Sequence, residues 1–166
     1  KATSGPRDHG PQMNDDEIFI DAFSTGHFLT LMQAPQAFAE MFSFGPMATQ
    51  SRSIDQWIKN PHFSYVYIVT NSDELSIRES IELHKSLAHV GISSHFILNK
   101  FVDTENISFK KLPEKTRMFF QNIQAQQIEA FADLKKTKAQ IQVVPQIFES
   151  HFFDVIEKIS HIAEIS

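Results

Sequence analysis

The sequence predicts an α/β fold in three layers, a mostly parallel sheet with helices on both faces. Three observations lead there. Short β-branched and aromatic runs alternate with stretches of ten or more residues at helical spacing, the order of βαβ units joined by right-handed crossovers. The run from Ser64 to Thr70 is apolar on both parities, as in a strand covered on both faces of a parallel sheet. With 166 residues, 42% of them hydrophobic, the chain is sized to bury the core of one domain.

Residues 1–16 carry two Gly, two Pro and mixed polar residues without periodicity, and are expected to be a disordered lead-in or severed linker. The folded part is expected to span 17–166. It opens with an apolar strand at Glu17–Asp21. A helix follows from about Gly26 to Phe44, which Pro35 should kink or break. A short helix is expected near 51–58, around Ile54, Trp57 and Ile58. Ser64–Thr70 then reads as an interior strand.

Ser76–Val90 predicts a helix, with Ser76 and Glu79 at capping-box spacing, Ile77, Ile81 and Leu87 or Ala88 along one face, and Gly91 as its stop. His95–Leu98 is a second buried strand. A long helix from Pro113 to Leu134 has proline in its first turn and an apolar stripe of Met118, Phe119, Ile123, Ile128 and Phe131. A strand at Ile141–Val144 ends on Pro145, and a last helix runs from about Glu149 to Ile162. Four strands are fewer than doubly wound nucleotide folds usually have, so the chain reads as part of a larger sheet.

Net charge is −5 and the basic residues are dispersed, which argues against nucleic acid as a partner. Cysteine is absent, so disulfides, thiolate metal sites and a cysteine nucleophile are excluded. The eight histidines show no i, i+4 pairing of the kind that marks a metal site, and Ser24 is not in a nucleophile elbow. No apolar stretch approaches the roughly 18–20 residues needed to cross a bilayer, and no signal pattern opens the chain. A soluble, cytoplasmic protein is expected. Because the sequence starts at Lys1, a processed, dissected or tagged product is expected.

The chemistry is expected at Asp21, where an apolar strand ends on a carboxylate and turns through Gly26 into a helix. In mononucleotide-binding folds a strand-tip carboxylate faces bound phosphate and its magnesium, which it holds through water. A glycine five residues on lets its backbone approach a terminal phosphate. Taken alone, the same residues also fit a capped turn that opens a helix. The usual phosphate-cradling loop needs closely spaced glycines, and the five here stand apart at Gly5, Gly10, Gly26, Gly45 and Gly91.

The run Thr25-Gly26-His27-Phe28-Leu29-Thr30-Leu31-Met32-Gln33-Ala34-Pro35 resembles the T-G-H-T-L-R-L-L-x-L-P segment after the switch II aspartate of the arsenite-pump ATPase family, which includes the ATPases that target tail-anchored proteins. Thr70–Ser80 is similar to its V-T-x-P-E-x-L-S-x-x-E-T segment with one residue fewer. Gly91-Ile92 and Phe96-Ile97-Leu98-Asn99-Lys100 resemble its G-I and V-V-x-N-[QRK] strand, and Val143-Val144-Pro145 falls at its final V-P.

That resemblance implies a P-loop NTPase-like fold and a dimeric switch ATPase using ATP and magnesium. It implies Asp21 as the switch II carboxylate reaching magnesium through water, Gly26 close to the γ-phosphate, and Thr25 among the nucleotide-binding residues. Asn99 would bond the adenine, and Pro145, Gln146, Ile147 and Phe148 would line the base. The chain corresponds to the family's C-terminal part without the P-loop half, so hydrolysis is not expected from this chain alone. A homodimer, the missing half and a membrane-protein partner are the implied partners.

Departures matter too. Phe23-Ser24 replaces the family's A-P, the arsenite- or zinc-binding cysteines are absent, and too few residues separate Pro35 from the next strand for a client-binding insertion. The apolar residues of Phe28–Met47 are assigned to core packing or a dimer interface. The competing expectation is a degenerate, non-catalytic α/β interaction or dimerisation module.

Overall fold

The computed structural model describes residues 17–22, 25–42, 44–103, 109, 112–147 and 152–163. In chain order they form α1 (Thr25–Met41), α2 (Pro46–Lys59), β1 (Val66–Thr70), α3 (Glu74–His89), β2 (Ser94–Phe101), α4 (Glu114–Lys136), β3 (Ile141–Pro145) and α5 (Phe152–Ala163). The strands build one parallel sheet in the order β1-β2-β3, with Ile68 opposite Phe96 and Phe96 opposite Ile141. The expected parallel α/β class is therefore present, with α3 and α4 as the crossovers.

Alternation along the strands decides where the core sits. Ile68, Phe96 and Leu98 share one face and are buried with Ile77 and Leu87 of α3, Ile92, and Ala130 and Leu134 of α4. α1 packs along α2 and reaches this cluster through Phe28, Leu29 and Met32. The other parity of β1 is open, with Tyr67 54% and Val69 60% exposed.

That opening corrects the expectation of an interior strand at Ser64–Thr70. β1 is the edge of the described sheet, and its outward side chains have no layer over them. The expected strand at Glu17–Asp21 is also absent: residues 17–22 are irregular and exposed. A strand is held by its ladder, and among the described residues the ladders join β1 to β2 and β2 to β3 only.

Helix details differ for local reasons. α1 continues through Pro35, whose missing N–H frees the carbonyl of Leu31 on an exposed turn where water can bond it. No residue of α1 is fully buried, and Leu31, Phe38 and Met41 are exposed, so core packing covers only part of its apolar content. α2 begins earlier than expected, at Pro46. The cap of α3 is Asp73, whose carboxylate accepts the Ser76 N–H at 2.9 Å, displacing the expected Ser76 box by one turn. Gly91 does end the α3 turn, at φ 82°.

The stripe expected on α4 holds in part: Phe131 packs against the core and Ile123 is half-buried, but its other members face outward. Met118, Phe119 and Ile128 are exposed, the last by 64%, and the buried positions are Gln127, Ala130 and Leu134. Those three are spaced by three and four residues, as one helix face requires.

Candidate functional site at the carboxyl rim of the sheet

Because the three strands are parallel, their carboxyl ends lie on one rim, the side on which open α/β sheets bind ligands. Thr70 closes β1, buried, with its hydroxyl donating to the Asn71 carbonyl at 3.2 Å. Asn99, half-buried, comes near the end of β2, and Pro145 ends β3.

Between β2 and β3 the register breaks at this rim. Leu98 faces Val143 and Phe101 faces Pro145, so three steps along β2 span two along β3. The extra residue is accommodated at Lys100, which adopts φ 54°. For a side chain with a Cβ this left-handed conformation is disfavoured by about 1–2 kcal/mol, and bulges of this kind re-aim side chains next to functional sites.

Two bonds hold the bulge. The Gln146 backbone N–H donates to the Phe101 carbonyl at 2.7 Å, tying the exits of β2 and β3 together. From α4, Gln127 Nε2 donates to the Val102 carbonyl at 3.3 Å. Gln146 turns its own side-chain amide to the Ile147 carbonyl at 3.2 Å, and Ile147 is half-buried. Asn99, Pro145, Gln146 and Ile147 thus lie on the adjacent exits of β2 and β3, all half-buried, and this stretch of the rim is called the shelf below. Phe148 lies outside the described residues.

The other residues expected at the site are placed differently. Asp21 is exposed in the irregular segment before α1. Thr25 and Gly26 are the first residues of α1, where backbone N–H groups have no acceptor within the helix. A Cβ built on Gly26 would meet nothing within 4 Å, so packing does not demand glycine there.

Two clefts lie elsewhere. One, of about 390 Å³, runs between α3 and α4 past Arg78, Glu82, Glu129 and Asp133. The other, of about 450 Å³, sits at the amino ends of the strands, near His84, Ser94, His95 and Gln140. There His84 Nδ1 lies 2.8 Å from the Ser94 hydroxyl, and burial, with a smaller effect from His95, pushes the His84 imidazole below its usual value. This end is opposite the rim at which parallel sheets bind nucleotides.

A family model described as anion-transporting ATPase matches residues 40–146, more than half of the chain. The chain belongs to the anion-transporting ATPase family. The matched segment takes in the whole sheet with Asn99, Pro145 and Gln146, whereas Asp21, Thr25, Gly26 and Ile147 lie outside it. No curated protein matches the chain. Membership of this ATPase family relates the chain to nucleotide-binding proteins and implies magnesium as the companion ion.

The residues fit that ion only at second hand. Among the described residues no group of three or more His, Cys, Asp or Glu could hold a metal. A hard cation would take its inner ligands from nucleotide phosphates and water. Among the described residues, no helix is long and apolar enough to cross a membrane.

Sequence reasoning missed the bulge at Lys100 and the role of Gln127. Nothing in the local sequence announces a left-handed lysine. Gln127 did leave a signal, because an amide four residues after Ile123 and three before Ala130 occupies a core position, where a polar side chain needs a partner.

Proposed function

We propose that this chain supplies the adenine-recognition part of an ATP-binding, ATP-hydrolysing switch protein of the anion-transporting ATPase type. The observation that carries this reading is the single shelf made by Asn99 with Pro145–Ile147, locked by the Gln146 to Phe101 bond at the carboxyl rim. An amide offers a donor and an acceptor to the edge of a purine, and the apolar surface of Pro145 and Ile147 suits its face. Magnesium, when bound, would neutralise phosphate charge. Asp21 would hold a water of its shell, and the free amides of Thr25 and Gly26 at the start of α1 would face the terminal phosphate.

Hydrolysis requires a phosphate-cradling loop from elsewhere, since this sequence carries none, and the working unit is proposed to be a dimer. The test is nucleotide binding with magnesium, by calorimetry, on the chain and on the longest native product that contains it. Binding that prefers ATP over GTP, with the preference lost in Asn99→Ala, supports the reading. Equal affinity for both nucleotides in the unaltered protein rejects it.

A second reading, a non-catalytic interaction module, draws on the open apolar surface of α1 and β1, with Met41, Tyr67 and Val69 exposed. It predicts no nucleotide binding by either form of the protein and a stable complex through these surfaces.

A further inference from the structure

Four polar residues are buried among those described, and Gln127, 3% exposed, is the one whose side chain bonds the backbone just past β2. Its neighbours on the packed face of α4 are Ala130 and Leu134, both in the main core. Leu134 lies seven residues further along α4, or about 10 Å at 1.5 Å per residue. Since α4 runs back along the sheet from β2 to β3, that length carries its packed face from the strand exits down into the core. An apolar residue at position 127 would fill the same space without an amide to satisfy, so the polar choice calls for a reason.

The reason offered by the geometry is the backbone just past the bulge. Asn99 and Lys100 sit where β2 leaves its register with β3, and Lys100 is in the left-handed region. A strained segment persists only where its surroundings over-determine it. Here the surroundings are two hydrogen bonds to successive carbonyls, Gln146 N–H to Phe101 from β3 and Gln127 Nε2 to Val102 from α4.

We propose that Gln127 is the positioning residue of the nucleotide shelf: by holding the Val102 carbonyl it keeps the bulge in the form that presents Asn99 and Lys100 to the base. The inference rests on the adenine reading for the ligand it names, but the lock itself is a property of the free protein. Gln127 touches no ligand and acts through the β2 exit.

The experiment compares Gln127→Met, which keeps length and apolar volume but removes the donor, with the unaltered chain. Amide hydrogen exchange of the free protein is read first. The lock predicts at least tenfold faster exchange of the Gln146 amide, with the amides of Ile68, Phe96 and Leu98 unchanged. Unchanged protection at Gln146, or a uniform rise across the sheet, overturns the proposal, because the side chain would then be idle or would merely fill the core. Should the variant not fold, the side-chain amide protons of Gln127 in the unaltered protein decide. Protection well above that of an exposed glutamine supports the lock, and free exchange overturns it. Nucleotide titration is read second, and the ATP-over-GTP preference is expected to fall at least fivefold in Gln127→Met. An unaltered protein without any base preference refutes the adenine reading, and the exchange data still decide the lock.

Discussion

Replacing Phe96 with alanine tests how the fold is held. Phe96 is completely buried at the centre of β2, opposite Ile68 on one side and Ile141 on the other, with the His84 ring at 5.2 Å. Its neighbours belong to two strands and the helix above them, so the cavity has few ways to collapse. Removing a buried phenylalanine costs about 3–5 kcal/mol. That is a large share of the roughly 5–15 kcal/mol by which a typical domain is stable, and it corresponds to a fall in Tm of roughly 6–20 °C. Tyr67, one residue from the Phe96 partner Ile68, is the control. It lies on the open face beside His95 at 5.9 Å, and its loss should cost only about 0.2–1 kcal/mol. Urea denaturation followed by circular dichroism measures both. If Phe96→Ala loses less than about 1 kcal/mol, or Tyr67→Ala loses as much as Phe96→Ala, the core lies on the other face and the packing argument is wrong.

Further perturbations follow from single contacts. Asp73→Ala removes the acceptor for the Ser76 N–H at the start of α3 and should cost about 1 kcal/mol, whereas Asp73→Asn keeps most of it, as thermal denaturation will show. The backbone hydrogen bond from Ser76 holds the Asp73 carboxyl below its usual 3.8, so this contribution is present above that value and is lost as pH falls through the lower folded value. Asp73→Asn should remove that acid dependence. His84 has the reverse protonation problem: burial lowers its folded pKa below the ordinary 6.5, so as pH drops the unfolded chain takes up the proton first. Stability should be fully held above 6.5 and decline below it, and His84→Gln should flatten that slope in denaturation curves taken between pH 5 and 8.

The elements that could be read in advance are those whose sequence pattern matches a local physical requirement. The strand at Ile141, the turn at Gly91 and the helix opened by Pro113 each follow from β-branching, a positive φ or a missing N–H, which belong to the residue itself. Errors arose where the answer depends on a neighbour. Ile18, Phe19 and Ile20 have the composition of a strand but no ladder to join, and Tyr67 and Val69 have the composition of an interior strand but no covering layer. On α4 the larger apolar residues drew attention to Met118, Phe119 and Ile128, while small Ala130 and polar Gln127 face the core.

The candidate site divides along the same line. Asn99 and Pro145 could be named because each lies toward the carboxyl end of a strand, in a stretch that resembles a family motif. Their proximity is a consequence of parallel pairing, which brings strand ends together whatever lies between them in sequence. The bulge at Lys100 and the bond from Gln127 to the Val102 carbonyl are tertiary facts, visible only once β2, β3 and α4 are placed side by side.

A two-dimensional amide NMR titration with ATP and magnesium tests the shelf most directly. The account predicts shifts concentrated at Asn99, Lys100, Gln146 and Ile147, with smaller shifts from GTP at the same positions. Shifts confined to the opposite end of the strands, at Ser94, His95 and Gln140, would contradict it.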